Sequence, residues 1–277
     1  MADANATIPS ALRPVAGVGG IVRDALAFIG SLAWLLWDMA AWVSRALLLR
    51  QVRFGYSALV SQTVRVGVRA IGIVTLVSGA IGAILALQTE PSLADFGQSD
   101  KVANIIVVAV FRELGPLVAA IVLCGFAGAA IAAELGTMVV GEEIEALEAM
   151  ALNPIRFLVV PRVLATAVSL FVLSVLSDLV AVTAGGLVGV FFLSIPYEVY
   201  WDNTLDQVST SDFLSGLVKS VVFGLILGLI ACLNGLRVVG GAAGVGKATT
   251  DTVVQTVVTI IVVDLFFTAL FYAVGWN

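Results

Sequence analysis

Apolar residues along this chain come in long blocks separated by short polar stretches. An α-helix needs about 20 residues to cross roughly 30 Å of hydrocarbon. Five blocks reach that length: residues 70–88, 102–140, 163–193, 213–236 and 253–276. The sequence lacks the alternation over about 10 residues that is typical of a transmembrane β-strand. The pattern therefore predicts an all-α integral membrane protein with five transmembrane helices.

Two of these blocks carry further features. In the first, Gly72, Gly79 and Gly82 predict a flat face against which another helix can pack closely. The second is longer than one span needs and is interrupted at residues 111–116. Because Pro116 has no amide donor, we predict one helix that is kinked there.

The N-terminal region, residues 1–69, is apolar but repeatedly interrupted by charge. Its longest uncharged run, residues 25–37, is shorter than a span. Trp34, Trp37 and Trp42 lie among arginines, which is typical of a helix in the membrane interface. We therefore predict an N-terminal cytoplasmic and interfacial segment before a membrane domain of residues 70–277. A sixth span is the alternative, because Asp38 could lie near a helix end.

Composition supports a membrane protein and excludes several kinds of chemistry. The chain is 60% hydrophobic and 12% charged, with a mean hydropathy of +1.10, so most of it has lipid as its solvent. It has no histidine, which excludes Ser-His and Cys-His catalysis and histidine metal sites. Cys124 and Cys232 lie in apolar stretches and are expected to pack there. Without a basic run, nucleic-acid binding is not expected.

Lysine and arginine are distributed unequally between the two sides of the membrane. Eleven lie in residues 1–69, 141–162 and 237–247, whereas the two opposite loops contain Lys101 alone. By the positive-inside rule, the N-terminus and the first group of segments are cytoplasmic. Five spans then place the C-terminus outside.

The cytoplasmic stretch at residues 141–153 predicts a short amphipathic helix. Ile144, Leu147 and Ala151 fall on one face and a row of glutamates on another, with Asn153-Pro154 ending the helix. Such a helix between two spans is suited to docking a partner. A solvated connector is the alternative interpretation.

Five charged residues lie within or at the edges of the spans: Arg112, Glu113, Asp178, Lys219 and Asp264. An ionised group near the membrane centre costs about 2.5–3.5 kcal/mol on insertion scales, so such groups usually face a bundle interior or a wet cavity. A cavity with Arg112 and Lys219 near its outer side and apolar walls would suit a lipid with an anionic phosphate. Alternatively these groups only pair with each other, Arg112 with Glu113 or Lys219 with an aspartate.

The glycine-rich segment 239–250 has a superficial likeness to a phosphate-binding P-loop. Ala248 stands where a hydroxyl must hold magnesium, and a membrane span precedes the segment instead of a strand. We therefore predict a tight cytoplasmic turn. The energy for any transport would come from a partner.

Several short motifs are distributed from about residue 70 to the C-terminus. They are Arg-Glu-Leu-Gly-Pro at 112–116, Ala-Ala-Glu-Leu-Gly-Thr-Met at 132–138, Glu143, Glu-Ala-Leu at 145–147, Met150, Asn-Pro at 153–154, Leu-Val-Val-Pro-Arg at 158–162 and the segment 241–250. Together they resemble the MlaE/YrbE permeases of ABC transporters, which work with MCE proteins to move lipids between membranes.

The resemblance implies a homodimeric permease of the inner membrane, without an enzymatic site or bound cofactor of its own. Each copy would engage a cytosolic ABC ATPase that uses ATP, and an MCE-domain protein would sit on the outer side. The helix at 141–153 would be the coupling helix, through Glu142, Glu143, Glu145, Leu147, Glu148 and Met150. Many relatives carry arginine where this chain has Phe126, so a headgroup contact through that arginine is not implied here.

The leading hypothesis is therefore the permease subunit of an ABC transporter for lipids, phospholipids foremost. A proton-coupled secondary transporter is the alternative, with Asp178, Asp264 or Glu113 as proton carrier. A structural membrane scaffold without a translocation path is a third. Only the first requires the amphipathic helix at residues 141–153.

Overall fold

The structure, a computed structural model, describes residues 13–47 and 56–275. Within these ranges the chain is helical almost throughout and forms no strand. The α-helices are α1 (Arg13–Leu47), α2 (Tyr56–Thr63), α3 (Arg69–Ala94), α4 (Val102–Ala109), α5 (Gly115–Leu123), α6 (Ala129–Val140), α7 (Glu143–Ala149), α8 (Val160–Phe191), α9 (Tyr197–Gln207), α10 (Thr210–Leu236) and α11 (Gly241–Val274). Short π-helical segments join several of them: Val64–Val68, Val110–Leu114, Cys124–Gly128 and Ile155–Val159.

Six helical stretches in the described ranges are long and apolar enough to cross a membrane. They are Val22–Arg45, Tyr56–Ala94, Ser99–Val140, Ile155–Phe191, Thr210–Leu236 and Gly241–Val274. The last five correspond to the five predicted spans: three contain the predicted range, and the other two begin earlier and end two residues before it, at Phe191 and Val274. The all-α membrane class is thus confirmed, while the number of candidate spans is six instead of five.

The additional candidate span is α1, and the prediction that this region is too short to span was wrong. Arg23 and Asp24 do not interrupt the helix, because they project from its exposed face and pair with each other at 3.2 Å. Leu35 and Met39 are buried against the bundle. Length allows α1 to cross the membrane, and its interfacial placement stays a prediction.

The second span is one continuous helical stretch with two π-helical segments inside it. Val110–Leu114 lies directly before Gly115-Pro116, where the sequence predicts a kink. Proline cannot donate to the preceding turn, and π-bulges accommodate such a break and are frequent at functional sites. Cys124–Gly128 is a second break that the sequence analysis did not anticipate.

Helix α8 forms the centre of the bundle, because small residues let its neighbours approach its backbone. A side chain at Gly82 of α3 would collide with the main chain of Ala181, and one at Gly224 of α10 with that of Ala167. Gly79 also faces α8, whereas a β-carbon added at Gly72 would meet no atom of another element within 4 Å. Close approach of this kind is the usual source of helix–helix attraction in lipid. The predicted flat face therefore comprises Gly79 and Gly82, without Gly72.

The loop between α8 and α10 contains a helix, α9, that the sequence analysis did not predict. Its Tyr200 is fully buried against Gly185, Gly186 and Gly189 of α8, where any larger residue would meet the ring. The Tyr200 hydroxyl donates to the carbonyl of Val182 at 3.3 Å. The glycines of α8 therefore leave the space in which Tyr200 packs, and this contact holds α9 against the end of the bundle.

The glycine-rich segment is mostly helical, so the predicted turn over residues 239–250 was too long. The chain turns at Gly240 and Gly241, which have φ angles of 94° and 67°, and α11 begins at Gly241. Gly244 lies so close to the carbonyl of Val239 that a side chain would not fit there. These glycines therefore permit a tight entry into the last span.

We expect Gly82→Ala to destabilise the bundle, because the added methyl group would displace the main chain of Ala181. Overpacking of this kind costs about 1–3 kcal/mol. Thermal unfolding of the detergent-solubilised protein measures the effect. Gly72→Ala is the matched control, since its methyl group meets nothing. Equal unfolding midpoints for the two variants would contradict the packing described here.

Candidate functional site

The five intramembrane charges lie in four different spans. Arg112 and Glu113 lie in the π-helical segment before α5, Asp178 in α8, Lys219 in α10 and Asp264 in α11. The structure brings Lys219, Glu113 and Asp264 together and leaves Asp178 apart. We call the first three, with Thr268, the Lys219 network.

The ammonium group of Lys219 is surrounded by oxygen. Its Nζ lies 2.7 Å from Glu113 Oε2 and 2.9 Å from Asp264 Oδ1, and it donates to Thr268 Oγ1 at 2.9 Å. The Thr268 hydroxyl in turn lies 2.8 Å from Glu113 Oε1 and 2.9 Å from the carbonyl of Asp264, and can donate to one of them at a time. The Lys219 side chain is 1% exposed. Two carboxylates thus compensate one buried cation.

Arg112 pairs with an aspartate that the sequence analysis did not consider. Its Nε lies 3.4 Å from Oδ1 of Asp212, in the first turn of α10. Ser209 caps this helix by accepting from the amide of Asp212 at 3.1 Å. The structure thus pairs Arg112 with Asp212 and Glu113 with Lys219, where the sequence analysis considered a pair between Arg112 and Glu113. The predicted pairing of Lys219 with an aspartate is confirmed.

A cavity of about 220 Å³ opens beside the Lys219 network. Its lining combines charge and hydroxyl groups with aromatic rings: Arg112, Glu113, Ser215, Lys219, Thr268, Phe271 and Tyr272. A water needs only about 10–15 Å³ of such space, so the cavity can hold several waters or a polar headgroup. Three of the five intramembrane charges, Arg112, Glu113 and Lys219, therefore border this cavity, whereas Asp178 and Asp264 do not line it.

Asp178 is buried without a counter-ion among the described residues. It is 2% exposed, and its Oδ1, which has no hydrogen-bond partner there, rests against Gly115. Ser177 beside it shares a 2.7 Å hydrogen bond with Ser78 of α3. An ionised carboxylate without a partner is costly in such surroundings. Asp178 therefore contacts the kink in the second span but does not belong to the Lys219 network.

The predicted docking helix is present as α7, which is shorter than expected. It ends at Ala149, because Ala151 adopts a left-handed φ of 58°. Asn153 does not end α7 but begins the next helix, since its Oδ1 accepts from the amides of Ile155 at 2.9 Å and Arg156 at 3.3 Å.

The residues assigned to docking are mostly available on the surface of α7 and its flanks. Leu147 is half-buried, and the exposed ones are Glu142, Glu143, Glu145, Glu148 and Met150. Ile144, one helical turn before Leu147, is also half-buried. The acidic row is therefore exposed, while Ile144 and Leu147 on the apolar face are partly covered.

A second charged cluster was missed by the sequence analysis. Glu134 of α6 accepts from Arg65 Nη1 at 2.8 Å and pairs with Arg162 Nη2 at 3.0 Å. Arg162 is 5% exposed and also donates to the carbonyl of Leu158 at 2.9 Å. The signal was available, since Glu134 is the only charged residue between Glu113 and the end of this apolar block at residue 140.

Fold and site together define a polytopic membrane protein whose helix bundle contains polar cavities, as transport proteins do. Residues 59–270 match the family described as Permease MlaE. The chain is 34% identical over 226 residues to the intermembrane phospholipid transport system permease protein MlaE of Haemophilus influenzae, covering 81% of this chain and 87% of that one. The chain belongs to the MlaE permease family, and is thus a transporter component, not a catalyst.

Two further relatives come from other organisms. A probable ABC transporter permease protein of Rickettsia prowazekii is 35% identical over 218 residues, covering 79% of this chain and 84% of the relative. The chloroplastic protein TRIGALACTOSYLDIACYLGLYCEROL 1 of Arabidopsis thaliana is 32% identical over 211 residues, covering 76% and 60%. The family resemblance seen in the sequence motifs is confirmed.

We expect Lys219→Met to destabilise the protein strongly, because it leaves Glu113 and Asp264 facing each other without a cation. Removing one partner of a buried ion pair typically costs about 3–5 kcal/mol. Thermal unfolding in detergent measures the loss. The control is Lys101→Met, an exposed lysine outside the Lys219 network. If both variants unfold at the same temperature, Lys219 does not organise the spans.

Proposed function

We propose that this chain is the permease subunit of an ABC transporter that moves phospholipids between membranes. It works in the inner membrane as a homodimer, and a separate cytosolic ATPase supplies the energy. An MCE-domain protein on the outer side exchanges lipid with it. The observation that carries the proposal is the cavity beside the Lys219 network, in a chain of the MlaE permease family.

The lining of that cavity supports an amphipathic substrate. Arg112, whose side chain is 29% exposed, offers a guanidinium at the charged end. Phe271 and Tyr272 provide aromatic surface for the beginning of an acyl chain. A guanidinium can bind a phosphate through two parallel hydrogen bonds, which suits a phospholipid headgroup. The name of the Haemophilus relative points to the same class of substrate.

Helix α7 is proposed as the element through which the ATPase drives the permease. Its acidic row, including Glu145 and Glu148, is exposed and suits a cationic groove, and Met150 is 63% exposed beside it. With α7 in the cytoplasm, the N-terminus is cytoplasmic as well if α1 lies in the interface. The helical start of α11 gives the glycine-rich segment a structural role, which leaves the ATP site to the partner.

A second copy of the chain is proposed to pack against α11 and its surroundings. The outward face of α11 exposes a row of apolar residues over most of its length: Val254, Val258, Ile261, Val262, Leu265 and Phe266. In a homodimer this face would enclose the two cavities between copies instead of meeting lipid.

One observation favours the alternative of a proton-coupled secondary transporter. Asp178 is buried with an unpartnered oxygen, as a carboxyl group that gains and loses a proton would be. Such a transporter would work without an ATPase and would lose activity in Asp178→Asn.

Charge reversal on α7 tests the coupling to an ATPase. We expect Glu145→Lys/Glu148→Lys to lose the copurified ATPase, because an acidic row facing a cationic groove becomes repulsive. Copurification from the host membrane measures this, with an expected loss of about tenfold or more, equivalent to about 1.4 kcal/mol of binding. The matched control is Glu198→Lys/Asp202→Lys on the exposed face of α9. The absence of any ATPase from the unmodified complex, or its retention by the α7 variant, would refute the proposal.

Exchanging Arg112 and Asp212 separates a structural pair from a contact with phosphate. We expect Arg112→Asp/Asp212→Arg to unfold at a higher temperature than Arg112→Asp alone, because the ion pair is restored. We also expect the exchanged variant to remain at least about tenfold slower in ATP-driven phospholipid transport, since the cation has moved. Recovery of transport together with stability would show that Arg112 only holds α10 in place.

A further inference from the structure

The strongest feature that the proposed function does not use is the cluster around Glu134. A cavity of about 190 Å³ opens beside it, between α2–α3 and the second span. Its lining combines two arginines and polar groups with apolar residues: Gln62, Arg65, Val66, Arg69, Phe126, Ala127, Ala130, Ile131 and Glu134. We call it the Arg65 cavity.

The charge of the Arg65 cavity differs in sign from that of the Lys219 network. Arg65 and Arg69 line the cavity and Arg162 lies beside it, so three guanidinium groups stand against the single carboxylate of Glu134. In contrast, Lys219 and Arg112 are matched by three carboxylates. Excess positive charge favours an anion, and in low dielectric its attraction is only weakly screened.

Both arginines on α2–α3 can still bind a ligand. Arg65 is 47% exposed and uses Nη1 for Glu134, while a guanidinium has five N–H donors. The Arg69 side chain is exposed and makes no ion pair or hydrogen bond with the part of the chain that the structure describes. Their spacing of four residues puts them about one helical turn apart.

The lining of the Arg65 cavity changes from polar to apolar along the second span. Phe126, Ala130 and Glu134 follow one face at intervals of four residues. Phe126 is therefore about 12 Å from Glu134 along the helix and lies nearer the bilayer centre. Phe126 is 42% exposed, and Ile131 adds to the apolar wall. A ligand with an anionic end and an apolar continuation fits this lining.

The two cavities lie near opposite surfaces of the membrane. Glu113 and Glu134 are separated by 21 residues of one helical stretch, Ser99–Val140. At 1.5 Å per residue this is about 30 Å, the thickness of the hydrocarbon core. Glu134 lies close to the end of the span that leads to α7.

We propose that the Arg65 cavity binds the phosphate of a phospholipid headgroup from the leaflet on the α7 side, with its acyl chains along Phe126. Arg65 and Arg69 hold the phosphate, and Glu134 with Arg162 fixes Arg65 in place. The proposal rests on phospholipid transport as the proposed function and adds a second binding station, at the opposite leaflet from the Lys219 network. Phe126 carries no charge, so the positive charge of this site comes from Arg65 and Arg69.

Photo-crosslinking of the full-length protein in lipid nanodiscs tests the site. Benzoylphenylalanine replaces Phe126, and mass spectrometry measures its adduct with phosphatidylglycerol in the absence of nucleotide. We expect an adduct whose yield falls about fivefold in Arg69→Gln and recovers in Arg69→Lys, because the positive charge binds the phosphate. Arg23→Gln, which removes an exposed arginine of α1, should leave the yield unchanged.

Two comparisons decide what the cavity recognises. In nanodiscs of a galactolipid without phosphate, the adduct should be lost, and an equal yield there would overturn the proposal. Millimolar inorganic phosphate should not reduce the phosphatidylglycerol adduct, and its loss would assign the site to free phosphate instead of lipid. An adduct that is unaffected in both Arg69→Gln and Arg65→Gln would also overturn it.

The outcome for this site is separable from that for the proposed function. ATP-driven phospholipid transport, measured on the same complex, together with no adduct at position 126 would overturn the site and leave the function standing. An arginine-dependent adduct in a complex without ATP-driven transport would support the site and refute the function.

Discussion

Burial of the Lys219 ammonium inside the bundle is the constraint on which the arrangement of the spans depends. A buried charge without a partner is costly in such surroundings, and Lys219 is 1% exposed. Its carboxylate partners come from two other spans, Glu113 before α5 and Asp264 on α11. Three spans are therefore held in the relative positions at which these groups meet. Arg112 and Glu113 both lie in the π-helical segment before Pro116, where they pair with Asp212 and Lys219.

Small residues around α8 make this arrangement possible. Gly82 and Gly224 bring α3 and α10 onto its main chain, so the bundle closes without large apolar side chains between those helices. Asp178 occupies the same crowded region and rests on Gly115, beside the kink. The kinked segment thus contacts the central helix through Asp178 and the Lys219 network through Glu113. At its other end, Glu134 joins α6 to α8 and to the segment before α3 through two arginines.

The sequence predicted what depends on local pattern and missed what depends on distant contacts. Apolar blocks of about 20 residues reveal spans because the membrane imposes that length, and Pro116 reveals the kink because it lacks a donor. The partner of Arg112 could not be predicted, since Asp212 is 100 residues away. The length of α1 was underestimated because the charges within it do not break the helix. The helical start of α11 was missed because glycine usually marks a turn.

In the proposed transporter, lipid moves between two cation-containing cavities, one near each surface of the membrane, and a separate ATPase drives the movement. The most direct measurement uses the purified complex of this chain in proteoliposomes and follows the movement of a fluorescent phospholipid. Movement should require ATP hydrolysis by the partner ATPase and should persist when an uncoupler abolishes the proton gradient. Movement that follows the proton gradient in the absence of ATP would contradict transport driven by an ABC ATPase.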